Sequence, residues 1–190
     1  MDYKLQLPSA LDYFTTLVQS DDDFPLLETA VSLAQDEFPK MDIQQVLDEV
    51  DVLCARLKRS VLTHSDALGK LRALNTFFFE DMRFAGNVNH YDDPHNSYLN
   101  VVLSKRLGIP ISLAVLWLEL GQSLGLKVNG VSFPGHFLVK LDLVYPQEGH
   151  VVIDAEQADA CTQTLATLGE QVYRIGMIAD KGDGAAVLIN

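Results

Sequence analysis

The chain has 190 residues, a hydrophobic fraction of 48% and a formal net charge of −12. That length suits one domain, or one domain with a helical extension, and the apolar content excludes a disordered chain. The negative balance repels phosphate backbones and anionic bilayers, so neither nucleic acid nor membrane is an expected partner.

Two cysteines occur, Cys54 and Cys161, with no CxxC pair and no Cys/His zinc spacing. No disulfide framework and no cofactor are expected, and a reducing compartment follows. The first residues carry no charged-then-apolar signal pattern. The longest apolar stretch, 109–120, is short for a membrane span and is interrupted by Ser112 and Glu119. The expected location is the cytoplasm.

In chain order, the first helix is predicted over about Ala10 to Gln19. The acidic run 21–23 is placed to cap the next helix, with Pro25 just inside its start and an end near Phe38. A third helix starts near Asp42. Val46, Leu47, Val50, Leu53, Cys54 and Leu57 share one of its faces, so Cys54 reads as a packed core thiol. A fourth helix follows Ser65-Asp66 and carries Leu68, Leu71, Leu74, Phe77 and Phe78. The basic clusters Arg56/Lys58/Arg59 and Lys105/Arg106 read as solvated helix faces.

The stretch 83–97 is rich in Asn, Asp, Gly and Pro and reads as a long ordered loop. Its His90, Asp92, Asp93 and His95 could be metal ligands, but their spacing matches no standard zinc or calcium loop. Asn96 and Ser97 are placed to cap a helix from about Tyr98 to Leu107. A further helix, about Pro110 to Leu124, is apolar nearly all round and so should be buried on most sides. Pro110 suits its first turn, Gly125 stops it, and Trp117 reads as packing within it. Three β-like runs follow: Val128 to Phe133, Phe137 to Leu143 and His150 to Ile153. A short helix is placed near Gln163 to Tyr173. The whole reads as α+β, with helices over the first 125 residues and a small antiparallel sheet after them.

His136 and Asp154 lie equally far on either side of Tyr145, so a hairpin centred there sets them near each other. A carboxylate beside an imidazole fixes its tautomer and stabilises the imidazolium. Ser112 falls in the first turn of the buried helix, where free N–H groups favour a developing oxyanion. Ser112, His136 and Asp154 therefore form a candidate catalytic set. The hydroxyl is expected to point toward the His136 ring. Cys161 is a weaker alternative nucleophile.

The blocks Gly108-Ile-Pro-Ile-Ser112 and Pro134-Gly-His-Phe-Leu-Val139, with Tyr91-Asp-Asp-Pro-His-Asn-Ser97 ahead of them, resemble the bacterial SirB-type family of the transglutaminase-like superfamily. The resemblance runs from about Asp23 to Asp154. It implies a papain-like layout in which a cysteine at the start of a central helix precedes a histidine and an aspartate on adjacent strands. His136 and Asp154 match the last two; the cysteine position falls at or next to Ser112. It also implies an N-terminal helical region over 1–85, the family core over 86–160 and an atypical tail over 161–190, all in one compact unit. Where the family continues with Pro-Phe and glycines after the aspartate, this chain has Ala155-Glu156-Gln157, and the C-terminal tetratricopeptide repeats of many relatives are absent. With Ser for Cys, two functions are expected. One is a non-catalytic or regulatory module that binds a protein or peptide partner. The other is a Ser/His/Asp hydrolase or acyl transferase acting on amide or ester bonds.

Overall fold

The computed structural model describes residues 9–20, 24–62, 65–133, 136–142, 149–152, 179–180 and 185–186. They divide into two compact units, Met1–Lys127 and Val128–Asn190.

The first unit is helical, and its helices begin where capping chemistry allows. Helix α1 (Ala10–Leu17) opens on a capping box. The Ser9 hydroxyl accepts from the Asp12 N–H at 3.1 Å, and the Asp12 carboxylate accepts from the Ser9 N–H at 3.0 Å. Helix α2 (Leu26–Ser32) is shorter than the sequence suggests, because its last turn tightens to a 3₁₀ turn over Leu33–Gln35. Pro25 is its N-cap and offers no side-chain acceptor; the acidic run 21–23 lies outside the described residues.

Asp42 caps α3 (Ile43–Ser60) by accepting from the N–H groups of Gln44 and Gln45. Asp66 does the same for α4 (Ala67–Asn75) through Gly69. Helix α4 runs on as a π-helical turn over Thr76–Asp81, which buries Phe77 and Phe78.

The next helix, α5 (Leu99–Lys105), is capped by neither Asn96 nor Ser97. Its N-cap is Tyr98, and Asn96 is turned inward for another purpose. Arg106 ends α5 in the left-handed region, φ 60°, a conformation costly for a side chain with a Cβ.

Helix α6 (Pro110–Ser123) is the buried helix that the apolar pattern predicts. It packs against α2, α3, α4 and α5. Ala114, Val115, Leu116, Leu118 and Leu120 are buried, while Ile111 stays 48% exposed. Trp117 lies within this packing, and its indole N–H donates to the Asn75 amide oxygen at 3.0 Å. Gly125, at φ 74°, supplies the stop, and Lys70 binds the Leu124 carbonyl at 2.8 Å.

One element was not placed by the sequence. Ala85–Gly86 (β1) pairs in parallel with Leu107–Gly108 (β2), ahead of α6. The expectation that all pairing follows α6 and is antiparallel is corrected by this two-residue ladder. It escapes sequence patterning because two residues cannot show alternation.

Strands β3 (Lys127–Phe133), β4 (His136–Asp142) and β5 (Gly149–Val152) form a three-stranded sheet in that order. The β4–β5 pairing is antiparallel, running from Val139 against Val152 to Asp142 against Gly149. Within this sheet Gly130 has no room for a side chain: a Cβ there would meet the Phe137 ring at 2.5 Å. A separate antiparallel pair joins Ala179–Asp180 (β6) to Ala185–Ala186 (β7). The helix expected at 163–173 lies outside the described residues. The helices followed by a small antiparallel sheet make the chain α+β.

Candidate functional site

The start of α6 is where the sequence sets its chemistry. Ile109 is the N-cap, Pro110 takes the first helical position, and Ser112 falls in the first turn. Proline loses nothing there, since its missing N–H has no helical partner to satisfy. Ile109 has no side-chain acceptor, so the cap comes from Ser112 instead: its hydroxyl oxygen accepts from the Ile109 N–H at 3.1 Å.

The hydroxyl hydrogen of Ser112 goes outward from the helix. It is donated to the Asn96 main-chain carbonyl at 2.6 Å, with the Ile109 carbonyl also close at 3.0 Å. Ser112 is 4% exposed. Gly108 makes this possible, because a Cβ at that position would stand 2.7 Å from the Ser112 hydroxyl oxygen. The Gly-Ile-Pro-Ile-Ser block is thus a local packing solution, with glycine for space, proline for the first turn and serine for the cap.

Asn96 is the other half of the junction, and it is 3% exposed. Its amide nitrogen donates to the carbonyls of His90 at 2.7 Å and Tyr91 at 3.1 Å. Its amide oxygen accepts from the Asn87 side chain at 2.9 Å. One buried asparagine therefore satisfies three groups across the 87–96 loop, while its carbonyl receives Ser112. Sequence reasoning missed this residue by treating it as a helix cap. An asparagine between a helix start and a loop lacking regular backbone pairing was the available signal.

In the same loop Asp93 caps a 3₁₀ turn over Pro94–Ser97. It accepts from the His95 N–H at 2.9 Å and lies 2.8 Å from the His95 Nδ1. The backbone N–H, then the ring, hold the Asp93 carboxyl below its usual range. His95 also lies edge-on to Phe38 and Tyr98. Among the described residues, no group of three or more His, Cys, Asp and Glu side chains is placed to hold a metal ion.

Of the three candidate catalytic residues, Ser112 is fully placed. His136 is the first residue of β4. Asp154 and Cys161 lie outside the described residues. The observed β4–β5 register differs by one residue from the one that equal spacing about Tyr145 assumes. A one-residue change exchanges the faces of a strand, and the pairing expected of His136 with Asp154 falls outside the described residues.

The Transglutaminase-like superfamily model matches residues 44–171. The chain belongs to the transglutaminase-like superfamily. A UPF0162 protein of Xylella fastidiosa is 41% identical over 134 residues, 70% of this chain and 47% of that protein. Human F-box only protein 21 is 29% identical over 161 residues, 73% of this chain and 26% of that protein. A stretch of 39 residues is 64% identical to a phosphoribosylformylglycinamidine cyclo-ligase of Albidiferax ferrireducens, covering 20% of this chain and 11% of that one. The chain spans about half the length of the UPF0162 relative. No solved structure matches. Among the described residues, no helix of this transglutaminase-like protein is long and apolar enough to cross a membrane.

Proposed function

We propose that this transglutaminase-like chain is a non-catalytic, SirB-type module of the cytoplasm that binds a protein or peptide. The observation that carries this reading is the state of the Ser112 hydroxyl. A serine nucleophile needs a base to take its hydrogen and a lone pair facing the substrate. Here the hydrogen is bound to the Asn96 carbonyl, which is no base, and the oxygen accepts from Ile109. Burial also keeps a substrate carbonyl away.

The surroundings suit contact better than turnover. Ile111, next to Ser112, is 48% exposed, and Val88 and Tyr91, in the loop that Asn96 ties down, are 84% and 59% exposed. A partner seated on these segments would cover apolar side chains that otherwise face water. The net charge of −12 directs the choice toward protein rather than nucleic acid. The SirB-type assignment rests on the Gly-Ile-Pro-Ile-Ser and Pro-Gly-His-Phe-Leu-Val blocks and their order.

Two measurements test the proposal. A fluorophosphonate probe should leave Ser112 unlabelled in the native protein. Labelling that vanishes in Ser112→Ala would instead establish a Ser/His/Asp hydrolase or acyl transferase. A photo-crosslinking side chain placed at Ile111 should give a discrete adduct with one protein in cell extract, and the same group placed at the exposed Val52 should not.

A further inference from the structure

Helices α2, α3 and α6 leave a groove of about 380 Å³ between them, a volume in the range of clefts that take a small ligand or a side chain. Helical spacing builds its walls. Leu47 and Asp51 lie one turn apart on α3, and Val115, Leu118 and Glu119 lie within one turn on α6. Val115 and Leu118 are buried, so the inner lining is apolar. Phe24, just ahead of α2, and Leu26, its first residue, also line the groove, yet they stay 40% and 37% exposed. On α6, Ile111 lies one turn before Val115 and so shares the helix face that enters the groove.

The charge in this groove is all of one sign. Glu28, Asp51 and Glu119 line it, and no lysine or arginine does. Glu28 accepts the Tyr13 hydroxyl hydrogen. Asp51 and Glu119 are engaged by no ion pair among the described residues. Burial, then the Asp51 charge, raises the Glu119 pKa, as it must for a half-buried carboxylate without a cation beside it. Among the described residues, no set of three ligating side chains is placed to hold a metal ion, so an organic cation is the fitting counter-charge. An arginine supplies one: its stem covers apolar walls while its guanidinium meets carboxylates.

We propose that this groove docks a basic, amphipathic peptide segment of a partner protein, with apolar side chains against Phe24 and Leu26 and an arginine reaching Asp51 and Glu119. A second copy of the chain is a poor occupant, because two bodies of net charge −12 repel each other. The proposal rests on the reading of the chain as a peptide-binding module and names the chemistry of the peptide. It involves neither Ser112 nor His136.

The probe is a fluorescein-labelled synthetic helix with leucine on one face and arginine beside it, titrated into the full chain by fluorescence anisotropy at constant ionic strength. It should bind saturably. Its citrulline counterpart, which keeps the shape and lacks the charge, should bind roughly tenfold more weakly. Asp51→Asn and Glu119→Gln should each weaken the arginine peptide about threefold or more and leave the citrulline peptide unchanged. Glu80→Gln removes the same charge at an exposed position outside the groove and should change neither. Leu26→Ser should weaken both peptides. Circular dichroism checks that each variant is folded; if Glu119→Gln is not, the exposed Asp51→Asn decides alone. Absence of saturable binding, equal affinity for the two peptides, or equal losses in Asp51→Asn and Glu80→Gln overturns the proposal. If the Ile111 crosslink forms in extract while Asp51→Asn binds the arginine peptide like the wild type, the groove assignment falls and the binding-module reading stands.

Discussion

The Ser112 hydroxyl donates to the main-chain carbonyl of Asn96 at 2.6 Å, across sixteen positions of sequence. This bond joins the first turn of the buried helix to the loop before it, and it occupies the atom that an active serine would need free.

Removing the hydroxyl should therefore be felt in stability. Ser112→Ala leaves the Asn96 carbonyl and the Ile109 N–H with only the long 3.4 Å bond between them, and it should cost about 1–3 kcal/mol in urea unfolding. Gly108→Ala should cost a similar amount, roughly 1–3 kcal/mol, because its Cβ would press on that oxygen and on the Val102 methyls. The two effects should be less than additive in the double variant, since removing the hydroxyl makes room for the new methyl group. Strict additivity would show that the two residues are not coupled as the geometry requires.

Asn96→Ala tests the loop. It deletes the two bonds donated to the His90 and Tyr91 carbonyls and the one accepted from Asn87. A loss of about 3 kcal/mol is expected. Limited proteolysis should then cut between residues 87 and 95 faster than in the wild type. An unchanged cleavage pattern would argue that the loop is held by other means.

Glu119 sets a pH dependence. Burial, helped by the nearby Asp51 charge, raises its pKa above the usual 4.5. The folded state thus binds its proton more tightly than the unfolded state does. This contribution to stability is fully present below pH 4.5 and is lost as pH rises through the raised folded value. Glu119→Gln should therefore raise Tm at pH 7 and have little electrostatic effect at pH 4. An equal gain at both values would assign the effect to packing.

Cys54 is a free, buried thiol. Burial pushes its pKa up, so little thiolate forms at neutral pH. Native protein should react with a thiol reagent at Cys54 far more slowly than urea-unfolded protein does. Comparable rates, followed by peptide mapping to separate Cys54 from Cys161, would contradict its placement in the core.

Much of the helical unit was written in local sequence. Asp42 and Asp66 announce two helix starts, Pro110 and Gly125 bracket the central helix, and the stripe containing Cys54 names its buried face. These signals act over three or four residues, where capping and periodicity suffice. The same holds for the specific blocks that resemble the family. What the sequence could not determine are the choices made between groups distant along the chain. Asn96 looks like a cap and is a buried junction; Arg106 looks solvated and lies over Phe84; the Ser112 hydroxyl looks available and is bound to a carbonyl. Each outcome depends on which donor meets which acceptor once α5, α6 and the loop are packed together. Buried polar groups must find partners wherever the fold provides them, and that assignment exists only in three dimensions.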